Sequence, residues 1–213
     1  MKELWFRLQM ARGFFQLVRN PERTDLIFKA LKMLARAKDQ KPIQAIIKAA
    51  RENTPFSQMI DSGYMPKKPN LNDLAQMPEG SFGKEVYNHM AKNNINFDLF
   101  PDEEPELPIE YFSQRMYWDH DLWHVLLNYH TDVADELALQ AFNVAQLRTP
   151  FGAMIISGGI LNLLRKDPLA AADAVGRVAD GYQRGKKAKF LLGLKLHEMF
   201  ERPLAEVREL AGV

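Results

Sequence analysis

An all-α fold is what this chain predicts, a multi-helix bundle with an apolar groove between helices, in one domain spanning residues 1–213. Three observations predict it. Apolar residues recur with the helical 3.6-residue period in nearly every long segment, and none sustains the alternation of a half-buried strand. Capping residues and prolines punctuate those periods where helices would begin and end. At 213 residues and 46% hydrophobic content the chain can bury a sizeable core, most simply as one domain.

Leu4, Trp5, Leu8, Ala11, Phe15 and Val18 line one side of a first helix, closed by Asn20-Pro21. Leu26, Ile27, Ala30, Leu31, Leu34 and Ala37 do the same for a second. A short third helix begins at Pro42, a favoured first-turn position, and carries Ile43, Ile46, Ile47 and Ala50. Six prolines then break Thr54 to Leu107 into loops and short helices, one of which runs from the N-cap Ser81 through Asn93. The acidic stretch Asp98 to Glu110 leads into a helix from about Pro108 to Tyr129. Further helices follow over Asp132 to Leu147 and Pro150 to Arg165. Asp167-Pro168 is a cap-plus-first-turn start for the next, with an interruption expected at Arg184-Gly185. Helices over Lys186 to Glu201 and Pro203 to Leu210 complete the chain.

The chain has no cysteine, which excludes disulfides, iron–sulfur ligation and thiol nucleophiles, and its net charge of +1 argues against a general nucleic-acid binder. Charge is nevertheless segregated. Residues 1–51 carry 12 Lys/Arg against 4 Asp/Glu, and residues 52–136 carry 5 against 16. The two regions could attract one another, or the basic one could face anionic lipid. No apolar run approaches the ~20 residues that span a bilayer, and no secretory signal is present. A cytoplasmic protein is the expectation.

The chemistry is concentrated in residues 120–136, which read His-Asp-Leu-Trp-His, eleven residues, then Glu. A helix turns about 100° per residue, so His120 and His124 lie about 40° apart, one turn above the other. Two imidazoles so placed can grip one metal ion, and Asp121 flanks the same face. On an unbroken helix Glu136 would point about 120° away from His124. The residues Asn128-Tyr129-His130-Thr131-Asp132 offer a break, since they cap and turn. With Thr131 or Asp132 as N-cap, Glu136 falls near the first turn of a second helix that can fold back. The expectation is a bipartite site of His120, Asp121, His124 and Glu136, the candidate metal and catalytic residues. An all-nitrogen-and-oxygen set suits zinc with an open position, and equally iron, manganese or cobalt.

Other residues have two readings each. Ala153, Ser157, Gly158 and Gly159 allow tight helix packing, or let a slender apolar ligand approach the helix axis. Leu161, Leu164 and the Phe- and Met-rich first helices would extend such a groove. Arg115 could orient an anionic substrate head or pair with the acidic stretch. Asn128 could support His124 from outside the ligand set. Arg184, Lys186, Lys187 and Lys189 form a solvated face or an anion site. His89, His130 and His197 read as solitary surface or core histidines.

The string from His120 to Glu136 resembles the hallmark of the coenzyme Q biosynthesis family usually called Coq-four. The segment from Leu74 to Gly83, Leu-Ala-Gln-Met-Pro-Glu-Gly-Ser-Phe-Gly, looks like that family's Leu-Pro-Glu-Gly-Ser/Thr-Leu-Gly segment. Asn20 to Asp25 is similar to its early helix start, and Phe200 to Val213 resembles its terminus. The sequence lacks the long targeting extension of mitochondrial relatives, which suggests a bacterial-type member. Leu147-Arg148-Thr149-Pro150 departs from relatives with Gly or Leu before the proline.

The resemblance implies an all-helical protein peripheral to the inner membrane, acting in ubiquinone synthesis. It implies a divalent metal on His120, Asp121, His124 and Glu136, and a prenylated quinone precursor or other isoprenoid lipid as ligand. The activity implied is oxidative decarboxylation of a polyprenylated 4-hydroxybenzoate at ring carbon 1. The alternative is a non-catalytic scaffold holding prenylated intermediates and other quinone-biosynthesis proteins. Apolar residues in the first helices suggest a homo-oligomer. From the residues alone, a metal phosphohydrolase is a third reading, with His89 upstream of His120-Asp121 and Asp173 or Asp180 completing its set.

Overall fold

The computed structural model describes residues 41–97, 104–148 and 150–213. The two helices expected over 4–18 and 26–37, and the acidic residues 98–103, lie outside them. Among the described residues all regular structure is helical: nine α-helices, two short 3-10 turns, and a lone antiparallel bridge between Ser81 and Pro203. The helices are α1 (Lys41–Arg51), α2 (Thr54–Ser62), α3 (Leu71–Ala75), α4 (Phe82–Asn93), α5 (Pro108–Leu127), α6 (Val133–Leu147), α7 (Pro150–Lys166), α8 (Pro168–Lys187) and α9 (Leu204–Ala211). The fold is all-α, as the periodicity requires.

Short polar side chains start most of these helices. Asn53, Asn70, Ser81, Asp132 and Asp167 each accept from backbone N–H groups of the first turn, at 2.8–3.2 Å, satisfying donors that have no partner within the helix. Asn94, Asn128, Arg148 and Gly212 end α4, α5, α6 and α9 in the left-handed conformation.

The chain divides into two compact units. One contains Asp132–Lys186, where α6 packs along α7 and meets α8 at glycines. A Cβ on Gly159 would come within 2.5 Å of Leu137, and one on Gly185 within 2.6 Å of the Phe142 carbonyl oxygen. A Cβ on Gly181 would come closer still to the Ala138 carbonyl oxygen. These contacts support tight helix packing for the small residues of α7 and α8. Gly158 is buried, while Ser157 is exposed and donates to the Ala153 carbonyl at 2.9 Å.

The other unit contains Ile47–Thr131 and Lys187–Val213. Here α4 packs on α5 and α3, and α9 packs on both α4 and α5. The two family-like segments lock together: Phe82 N–H donates to Arg202 O at 2.8 Å, Gly83 N–H to Phe200 O at 2.8 Å, and Leu204 N–H to Gly80 O at 2.9 Å. Gly83 is needed for this approach, because a Cβ there would sit 2.9 Å from that of Phe200. Arg208 on α9 donates to Val125 O and Leu126 O, both at 2.9 Å. A cation thus covers the negative end of α5 and its orphan carbonyls.

Two expectations are corrected. Arg184-Gly185 does not interrupt α8, which continues to Lys187. Its glycine serves the contact with Phe142. The helix expected over Lys186 to Glu201 is instead two 3-10 turns, Leu191–Gly193 and Leu196–Glu198. Leu191 and Leu196 would lie about 140° apart on an α-helix, yet both are buried. Separate tight turns aim both inward.

Candidate functional site

The site is built on α5. Pro108 in its first turn and Glu110, whose Oε2 accepts from the Glu106 and Leu107 N–H groups at 3.1 and 3.2 Å, fix its start. It ends at Asn128, which adopts φ 56°. Asn128 is exposed and serves as the helix terminator. The backbone turn it creates lets Tyr129 N–H donate to His124 O at 3.0 Å and brings Tyr129 O to 3.2 Å from His124 Nδ1. The group orienting His124 is therefore a backbone carbonyl, not the Asn128 side chain considered from sequence.

His124 is almost fully buried and His120 is half-buried, their ring centroids 4.9 Å apart in an edge-on arrangement. Asp121 Oδ1 lies 3.6 Å from His120 Nδ1. Burial pushes the Asp121 carboxyl up, but His120, His124 and His89 outweigh that and hold it below the usual carboxylate range. Asp121 is thus an anion set against imidazole. Glu136, half-buried, stands in the first turn of α6, four residues after the N-cap Asp132, whose carbonyl accepts its N–H at 2.9 Å. The helix break expected between His124 and Glu136 is therefore present, with Asp132 rather than Thr131 as the cap. Its neighbour Asp135 is buried and paired with Arg177 of α8.

Arg115 is fully buried. Its guanidinium donates to Asp119 Oδ2 at 2.9 Å, to the Tyr111 hydroxyl at 3.3 Å and to Leu194 O at 3.4 Å. Among the described residues its acidic partner is Asp119, and both terminal nitrogens of the guanidinium are committed inside the core. Asp119, 0% exposed, also meets His197 Nε2 at 3.0 Å. Burial alone would raise the Asp119 carboxyl; Arg115 and His197 reverse that and hold it down. Sequence reasoning missed Asp119 and His197. The available signal was the helical stripe Phe112, Arg115, Asp119, Leu122 and Leu126, which places an Arg and an Asp one turn apart in an apolar row.

His89, read from sequence as a solitary surface or core histidine and, in the phosphohydrolase alternative, as a partner of His120-Asp121, lies against the motif. From α4 its ring stacks on His124, with centroids 5.3 Å apart and planes 20° apart, and its Nε2 lies 4.0 Å from Asp121 Oδ1. It shares a helical stripe with the buried Phe82 and Val86. His130 is exposed, as expected of a surface histidine. Asp173 and Asp180, which a phosphohydrolase reading would need, are both exposed on α8. None of the described helices is long and apolar enough to cross a membrane.

Comparison with known proteins converges on one family. Residues 11–213 match the family described as coenzyme Q (ubiquinone) biosynthesis protein Coq4. Mitochondrial ubiquinone biosynthesis COQ4 homologues of Rattus norvegicus and Homo sapiens are 27% identical to the chain over 150 residues, covering 68% of it and 54% of their own length. The chain therefore spans about half the length of these curated relatives. A mitochondrial COQ4 protein of Coprinopsis cinerea is 33% identical over 98 residues, 44% of this chain and 33% of that protein. The crystal structure of a protein assigned to ubiquinone biosynthesis from Nostoc punctiforme superposes with a TM-score of 0.82 over 95% of both chains at 23% identity, a likeness of fold. With a match running from residue 11 to the last, the chain belongs to the coenzyme Q (ubiquinone) biosynthesis protein Coq4 family.

Proposed function

We propose that this chain acts at a membrane surface in the synthesis of ubiquinone or a related prenylquinone, as a divalent-metal protein that oxidatively decarboxylates a polyprenylated 4-hydroxybenzoate at ring carbon 1. The observation that carries this is the pair His120 and His124, one turn apart on α5, with an ionised Asp121 against His120. We take His120, His124 and Glu136, the set expected from sequence, as the metal ion's ligands, with Asp121 beside His120. The donor set fits. Nδ1–H of His124 directed at Tyr129 O leaves the lone pair on Nε2, the form in which imidazole binds metal. Two imidazoles and a carboxylate suit zinc, iron, manganese or cobalt with a position open for substrate.

When bound, such an ion supplies Lewis-acid or redox activation of the aromatic head group. Asp121 Oδ1, 3.6 Å from His120 Nδ1, would after a small rotation accept the proton of that ring and keep its other nitrogen basic. In the net reaction the bond from ring carbon 1 to the carboxyl breaks and a carbon–oxygen bond forms. The carboxyl leaves as carbon dioxide, and the two-electron oxidation requires an external oxidant of the dioxygen class. The exposed Leu161, Leu164, Leu169 and Val175 of α7 and α8 are the apolar surface we assign to the membrane.

The test is release of labelled carbon dioxide from a carboxyl-labelled prenylated 4-hydroxybenzoate. Protein loaded separately with iron, manganese, cobalt and zinc is compared with His124→Ala. Metal-dependent release that disappears in the variant is expected. Substrate binding without release under every metal would make the chain a lipid-holding scaffold.

A further inference from the structure

The His120-Asp121-x-x-His124 motif accounts for α5, but it leaves unexplained why α4 brings a third imidazole against it. We propose that His89 is a positioning residue of the metal site, holding Asp121 and His124 in place from outside the ligand set. The inference rests on the metal reading above.

Two contacts carry it. The first is with Asp121, whose Oδ1 is flanked by two imidazoles: His120 Nδ1 at 3.6 Å and His89 Nε2 at 4.0 Å. A carboxylate that orients a metal-binding histidine needs its own support on the far side, because a short side chain on the same helix can otherwise rotate toward solvent. Here both side chains are largely buried, 11% exposed for His89 and 16% for Asp121. The separation of 4.0 Å lies beyond a hydrogen bond, and a small rotation or a bridging water closes it.

The second contact is with His124, across whose face the His89 ring lies at 5.3 Å with planes 20° apart. His124 is thereby restrained in two ways: Tyr129 O fixes its Nδ1 edge and His89 packs on its face. A ligand held in direction and in plane loses little freedom when an ion binds, which is how supporting residues raise metal affinity. The placement also follows from sequence. Ser81 caps α4, Gly83 lets it approach Phe200, and the stripe through Phe82 and Val86 carries His89 inward.

The experiment titrates the full chain with Co²⁺ alone, following its visible absorption, and checks each metal-free protein by circular dichroism. His89→Phe keeps a ring on His124 and removes the nitrogens; His89→Gln keeps a polar group and removes the ring. His124→Ala is the control for the site itself. For both His89 variants the expected result is an unchanged metal-free spectrum, cobalt affinity lower by about 10- to 100-fold, and unchanged absorption band positions. Wild-type affinity in both variants overturns the proposal. So does a shift of the cobalt bands, which would make His89 a ligand. If His124→Ala binds cobalt as tightly as wild type, the metal reading fails and this inference falls with it; if only that variant loses cobalt, the metal reading stands and the role of His89 is refuted. Should His89→Phe fail to fold, the His89→Gln titration decides alone.

Discussion

The two units cohere by opposite means. In Asp132–Lys186, backbones are drawn together at Gly181 and Gly185, Gly159 makes room for the Leu137 side chain, and the described ion pair Asp135–Arg177 leaves its arginine side chain 56% exposed. In the unit of Ile47–Thr131 and Lys187–Val213, the centre holds a fully buried ion pair, Arg115–Asp119, extended by His197 and Tyr111. In the same unit the rings of Tyr111, Phe112 and Phe190 gather around that of Phe56. Close contact between smooth helices gives adhesion but little direction. A hydrogen-bonded ion pair has one good geometry, at a desolvation cost. The directional device lies one residue from His120, in the unit that carries His89, His120 and His124. Among the described residues the large exposed apolar side chains, Val133, Leu161, Leu164, Leu169, Val175 and Tyr182, belong to the glycine-packed unit. Apolar adhesion thus serves that unit inside and, on our reading, outside.

The sharpest way to break this contrast is to strand one charge. Asp119→Ala leaves Arg115 buried without its carboxylate and is expected to cost about 3–5 kcal/mol, read as a lower urea midpoint. The paired change Arg115→Met with Asp119→Leu removes both charges and should restore most of that loss. If it does not, the network contributes net stability and the contrast is deeper than stated.

Acid should act on the same pair, and its sign is fixed. Asp119 has a carboxyl held below its ordinary value, so the stability it contributes is complete above the unfolded value of about 3.9 and is lost as pH falls through the folded value. Unfolding free energy measured from pH 7 downward should therefore show no loss traceable to Asp119 until pH falls below about 4. The same curve for the Arg115→Met, Asp119→Leu protein should fall less steeply there. A loss from this pair already evident near neutral pH would contradict the assignment.

The glycine-packed unit is tested within one helix. In α8, a Cβ on Gly181 would collide with the Ala138 backbone, while one on Gly176 meets nothing within 4 Å. Gly181→Ala should lose about 1–3 kcal/mol through overpacking, despite alanine's better helix propensity. Gly176→Ala should gain up to about 1 kcal/mol from that propensity alone. Thermal melting of the two variants should move in opposite directions. Equal shifts would mean that glycine is not what sets the helix spacing.

Much of this was legible because it is local. The period of apolar residues specified α4 to α8 nearly to their ends, and Ser81, Asp132 and Asp167 marked their starts by a chemistry that acts within three residues. The His120–Asp121–His124 face follows from helical pitch alone. What stayed hidden depends on distant partners. His89 and His197 are single histidines whose meaning comes from α5, from Asp121 lying 32 positions after the one and Asp119 lying 78 before the other. Arg115 looked outward because arginine usually is exposed, and its partner Asp119 was overlooked beside the more conspicuous Asp121. Gly185 read as a breaker because propensity is intrinsic, whereas the contact with Phe142 that keeps it helical is tertiary.

The smallest expected effect lies at the end of α6. Arg148 closes that helix at φ 52°, with its N–H donating to Val144 O at 2.9 Å. A branched or long side chain in this conformation places Cβ against the following carbonyl, at about 1–2 kcal/mol. Glycine would relieve the clash but restore backbone freedom to the unfolded chain, at about 0.5–1 kcal/mol. Arg148→Gly should therefore come out nearly neutral. Asparagine tolerates the left-handed region without glycine's entropy, as Asn94 and Asn128 do in this chain. Arg148→Asn is thus expected to exceed both wild type and Arg148→Gly, by roughly 0.5 kcal/mol. A calorimetric melting temperature resolves the order. If asparagine proves no better than arginine, Arg148 makes a contact that offsets its strain.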